Sequence, residues 1–145
     1  MEMFCYQCEQ TSQQTGCATM GVCGKAPAAS ALQDLLVHGL KGLSMYAHRA
    51  RELGASDRGL DRFSLEVLFA TVTNVNFDQD RLAGIARRLE AKRRKAAELY
   101  AAACDVAGQE PESLSEVATW ALAPQSDDLV TQALSLSLRK RFDTR

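Results

Sequence analysis

Four cysteines fall within the stretch MFCYQCEQTSQQTGCATMGVCGK, at Cys5, Cys8, Cys17 and Cys23. Two residues separate the first pair, eight separate Cys8 from Cys17, and five separate Cys17 from Cys23. Few apolar residues lie between them, so the stretch has little to fold around except what its thiolates hold. Thiolates are soft ligands that suit zinc or iron–sulfur clusters. Structural zinc usually takes two short cysteine hooks or mixed Cys and His. The first pair fits such a hook, the wider second pair does not, and the loop contains no histidine. An iron–sulfur cubane spreads four thiolates around a larger object, so uneven spacing is natural. The leading expectation is a [4Fe–4S] cluster on Cys5, Cys8, Cys17 and Cys23. A [2Fe–2S] cluster, a zinc ion and a redox-active dithiol stand behind it.

Neighbouring residues favour an anionic cluster. Gly16, Gly21 and Gly24 let backbone amides turn toward sulfur. Lys25 and the start of the first helix lie just past Cys23, and both place positive charge there. Such charge favours the reduced form and raises the potential. Tyr6 has two readings, a cover over the cluster or a packing residue. Cys104, alone on a helix, reads as a small buried apolar residue. His38 and His48 fall on different faces of one helix and make no metal pair. Asp61, Glu66, Asp78 and Asp80 form no acid–base constellation. No nucleophile–base motif, phosphate loop or dinucleotide fingerprint occurs.

The elements that must position this loop read as helices. The chain has 145 residues, 46% hydrophobic and 24% charged, which fits one soluble domain with a sizeable core. A net charge of -1 gives no reason to expect nucleic acid or a membrane surface as partner. The Met-Glu-Met-Phe start has no secretory pattern, so the expected location is the cytoplasm, where thiols stay reduced. Residues 1–27 form the cysteine loop and 28–145 a helical bundle, together one structural domain. The fold class is all-α, about three main helices plus two short C-terminal ones.

Ser30 to Gln33 has the capping-box form, and Leu32, Leu35, Leu36, Leu40 and Leu43 recur at helical spacing to about Arg51. Gly39 and Gly42 inside that helix predict close approach of another backbone. Asp57 to Asp61 reads as a turn before a second helix from Arg62 to Asn74, with Val75 on its apolar face and a break at Asn74–Asn76. Its valines and threonines keep a strand reading open. Asp78 caps a long third helix to Ala107, ended by Gly108. Its basic middle, Arg87 to Lys95, reads as a solvated face, or else as a docking surface for an acidic electron donor. Ser113 to Glu116 is a second capping box before Val117, Trp120 and Ala121. A last helix begins at Ser126 or Asp127 and continues through Leu138, ahead of the basic end Arg139–Arg145.

The segments MFCYQCEQT, TGC with GVCGK, LQDLLVHGLKGLSMYA and FSLEVLFATVTNVNFD resemble the N-terminal part of the hybrid cluster protein family, also called prismane proteins or hydroxylamine reductases. The resemblance covers about the first 80 residues, and the later helices match in type only. It implies that Cys5, Cys8, Cys17 and Cys23 ligate a cubane at the edge of a helical domain. The family reaction is reduction of hydroxylamine to ammonia, with nitric oxide reduction also proposed, at a second, mixed iron–sulfur–oxygen cluster. Family members are several-fold longer, and that cluster's ligands lie in their later domains. Beyond the loop this chain has only Cys104. The resemblance therefore implies a fragment or a truncated relative, an electron-transfer module without the reductase site. Implied partners are a redox protein or the missing reductase domains, with self-association through exposed apolar faces. The alternatives are a structural zinc-binding interaction module and an iron–sulfur redox sensor.

Overall fold

The structure is a computed structural model that describes residues 3–72 and 77–136. The expected break at Asn74–Asn76, Val75, Leu138 and the basic end lie outside these. A 3-10 turn at Ser12–Gln14 precedes α1 (Pro27–Glu52), α2 (Arg58–Val72), α3 (Gln79–Ala107), the single turn α4 (Glu116–Thr119) and α5 (Ser126–Leu136). Among the described residues there is no strand, only an isolated antiparallel bridge between Cys5 and Cys17. The all-α expectation holds, and the second segment is helix to Val72. No described helix is long and apolar enough to cross a membrane.

α1 is the central element and contacts all four other helices. Leu32, Leu35, Leu36 and Leu43 are fully buried along it. Each such side chain contributes about 1.5–3 kcal/mol relative to exposure. α3 runs parallel to α1: Leu89 lies beside Gly39, Arg93 beside Gly42, and Tyr100 beside Tyr46. α2 runs antiparallel to both. Its start is tied to α3 by Asp57 and Lys95, and its end meets α1 where Gln33 donates to the Ala70 carbonyl.

The two α1 glycines mark a close crossing, as expected. A Cβ at Gly42 would collide with the Val117 carbonyl oxygen, and one at Gly39 would meet Leu89 at 2.9 Å and Trp120 at 3.0 Å. The segment carrying α4 therefore lies directly on the α1 backbone. Arg93 locks this crossing. It is buried, donates from Nη1 to the Ala118 carbonyl at 2.5 Å, and donates from Nη2 and Nε to Glu90.

Three expected boundaries shift. α1 begins at Pro27, not Ser30, because proline suits the first helical turn, where its missing N–H costs nothing. Ser30 already donates its N–H to the Ala26 carbonyl, so its capping box does not form. α2 begins at Arg58 because Asp57 accepts from the Leu60 N–H and caps it. The segment after Pro111 forms one turn behind Ser115, without the Ser113 box, and Trp120 has already left the helix. Asp78 and Gly108 cap α3 as expected: Asp78 accepts from the Arg81 N–H at 3.1 Å, and Gly108 is left-handed at φ 69°.

Gly42→Ala should cost about 1–3 kcal/mol, because backbone must move to admit the methyl. Gly84, with open space around its Cβ position, is the control, and Gly84→Ala should gain about 0.4–1 kcal/mol. Urea denaturation tests both, and a Gly42→Ala protein as stable as wild type would remove the close-crossing account. The Lys95 ammonium, with the Leu60 N–H second, holds the Asp57 carboxyl below its ordinary range. A depressed carboxylate stabilises above its unfolded pKa of about 3.9 and loses that contribution as pH falls through the folded value. Asp57→Asn should therefore be less stable than wild type at neutral pH, and the gap should close in acid. A gap that does not change between pH 7 and pH 3 would count against the ion pair.

Candidate metal centre

The cysteine loop sits at the N-terminal ends of α1 and α3. Residues Met3–Cys5 pair antiparallel with Cys17–Ala18. Met3 N–H donates to Ala18, while Cys5 and Cys17 exchange both backbone hydrogen bonds at 3.0 and 2.9 Å. This exchange brings two of the expected ligands opposite each other, roughly 5.5 Å apart at Cα. Phe4 lies where a side chain at residue 16 would stand, 2.6 Å from a Cβ built there, and Gly16 has φ +128°. A second turn closes the far side, from the Gly21 N–H to the Lys25 carbonyl and from the Gly24 N–H to the Gly21 carbonyl. A Cβ on Gly21 would lie 3.1 Å from the Cys23 sulfur and 3.0 Å from Lys25, so glycine keeps this turn open for both.

All four loop cysteines are free thiols; Cys17 is buried, Cys5 and Cys8 are half-buried, and Cys23 is exposed. Among the described residues no three Cys, His, Asp or Glu side chains form a group that could hold one metal ion. The loop thus brings Cys5 and Cys17 together and leaves the four sulfurs spread.

Lys25 is the deepest polar group of the loop, 1% exposed. Its amine lies 2.7 Å from Gln7 Oε1 and 3.7 Å from the Cys5 sulfur, and 5.8 Å from the centre of the Phe77 ring. Among the described residues no carboxylate pairs with it. A buried ammonium is costly unless an anion faces it, and here that position belongs to a cysteine sulfur. The donor set therefore fits a group that carries negative charge through its thiolates.

The other candidates fall elsewhere. Cys104 is fully buried against Ala50 and Tyr100, with Gln109 Nε2 3.9 Å from its sulfur. His38 is buried edge-on to Trp120, at a ring distance of 5.4 Å, while His48 is exposed beside Glu52. Tyr6 is 63% exposed, so it does not pack into the core, and it lines a pocket with Gln7 and Cys8. The basic middle of α3 is largely tied down. Arg88 pairs with Glu66, Arg94 with Glu90 and Lys95 with Asp57. Arg93 is an interior anchor, not part of a solvated face. This stretch also lies at the level of Gly39 to Gly42, roughly 18 Å along α1 from Pro27. Both facts favour the structural reading of these charges. Reasoning along the chain missed Gln7, whose only signal was its place between Cys5 and Cys8.

The Prismane/CO dehydrogenase family model matches residues 3–140, well past the first 80 residues. The chain is 48% identical over 136 residues to the hydroxylamine reductase of Geobacter sulfurreducens, covering 92% of this chain and 25% of that protein. It is 45% identical over 140 residues to that of Rhodospirillum rubrum, covering 97% and 26%. The protein of that name from Petrotoga mobilis is 54% identical over 82 residues, 57% of this chain and 15% of its own length. The chain spans about a quarter of the length of the first two relatives. It belongs to the Prismane/CO dehydrogenase family.

Proposed function

From this family membership we propose that the chain is an iron–sulfur electron-transfer module that serves hydroxylamine reduction. The observation that carries the proposal is the loop itself: four free cysteines, two of them held opposite each other by the Cys5–Cys17 bridge. Cys5, Cys8, Cys17 and Cys23 would be the ligands of a [4Fe–4S] cluster. Their uneven spacing suits a group with one iron per thiolate. When bound, such a cluster supplies a one-electron couple. The chain's residues do the rest. The bridge fixes two thiolates, Gly21 admits the Cys23 turn, and the helices keep the loop at one end of the bundle. By resemblance the reductase site would belong to later domains of longer relatives, so the proposed role here is relay alone.

A stripe on α2, Leu65, Leu68, Phe69 and Val72, supports further apolar contact. Leu65 and Phe69 are each 67% exposed, and the four residues line one open groove of about 560 Å³. We propose self-association through this stripe when the chain is alone. Sedimentation at rising concentration should show dimers or larger species that Leu65→Lys disperses. A wild-type monomer at the highest concentration would refute this.

Anaerobic reconstitution followed by iron, sulfide and zinc analysis tests the module reading. About four irons and four sulfides per chain are expected, with loss of both and of the visible absorbance in Cys17→Ala. Cys104→Ala should keep the full complement. One zinc per chain without sulfide would replace the relay with a structural module.

A further inference from the structure

The amine of Lys25 has a defined place at this site. Folding of the loop brings its amine to the sulfur of Cys5, twenty positions earlier in the chain. The amine is almost fully buried, and among the described residues its polar contacts are the Cys5 sulfur at 3.7 Å and Gln7 Oε1 at 2.7 Å. Gln7 aims it from one side and Phe77 lies on another at 5.8 Å. No carboxylate neutralises it among the described residues. Its charge therefore acts on one ligand position in particular, in a setting that water screens poorly.

We propose that Lys25 is the positioning residue that sets the reduction potential of the proposed cluster, by an N–H···S hydrogen bond to the Cys5 ligand. The inference rests on the cluster reading above. A cluster gains one negative charge on one-electron reduction, and an ammonium beside a ligand sulfur stabilises the more negative state. Hydrogen bonds to the sulfurs and net charge are among the factors that set such potentials. Removing the charge must therefore lower the potential. Gln7 holds the amine and acts through Lys25.

The test is a dithionite titration of the reconstituted full chain, followed by visible absorbance and electron paramagnetic resonance, in which each reducing equivalent adds one electron. Lys25→Met and Lys25→Gln remove the charge, and Lys25→Arg keeps it. Both neutral variants should disfavour reduction at least tenfold at a fixed ambient potential, about 59 mV more negative for one electron. The arginine variant should stay near wild type. Iron and sulfide content and far-UV circular dichroism are measured on every sample. Either neutral variant, folded and fully loaded, with the wild-type potential would overturn the inference. A folded neutral variant that takes up no cluster would also overturn it, by making Lys25 an assembly residue. A wild-type chain without iron would instead overturn the cluster reading, and metal content separates that result from the others.

Discussion

The close crossing at Gly39 and Gly42 is the constraint on which the rest of the bundle depends. Only hydrogen at these two positions lets the Val117–Trp120 segment lie on the α1 backbone. That contact puts the Ala118 carbonyl within reach of Arg93, and Arg93 in turn fixes Glu90. Three segments thus meet through two missing side chains and one buried guanidinium. A glycine in a helix interior costs about 1 kcal/mol against alanine. Here that cost is offset by the packing it allows.

The loop depends on the same frame, at a distance. Its own structure is slight, a pair of bridging residues and two tight turns. What anchors it is continuity with α1 through Pro27, together with burial of Lys25 near Phe77, just ahead of α3. The bundle fixes where the loop stands, and the loop's glycines and thiols decide what it can hold. The basic middle of α3 stands apart from the loop, and Arg88, Lys95 and Arg93 there tie α2 and α4 to α3.

Much of this was legible in the chain. The leucine spacing of α1 and the two ends of α3 depend on neighbours within a turn, so local pattern recovers them. The Ser30 box was misleading because Pro27, three residues earlier, satisfies the helix start better. In the sequence Asp57 reads as turn, because its capping role depends on Leu60 being helical. The burial of Arg93 was not legible, since it depends on a crossing twenty-five residues away in sequence. The Lys25 and Gln7 pair was only half legible. Positive charge near the cysteines follows from the order of residues, but its aim at Cys5 comes from folding the loop back on itself.

The parallel course of α1 and α3 has an electrostatic cost. Peptide dipoles sum to about half a positive charge at each helix N-terminus. Two long parallel helices therefore set two positive ends side by side, eased by the opposite end of α2 and, on α3, by Asp78 and Asp80. Lys25 adds a full positive charge at that same end. Lys25 and the N-terminal end of α1 thus set like charges beside the cysteines, and these repel. An anionic occupant would relieve this repulsion, so its binding and the stability of the helices are thermodynamically linked. At that end of the frame Lys25 has no carboxylate partner among the described residues, and its polar contacts there are Gln7 and the Cys5 sulfur.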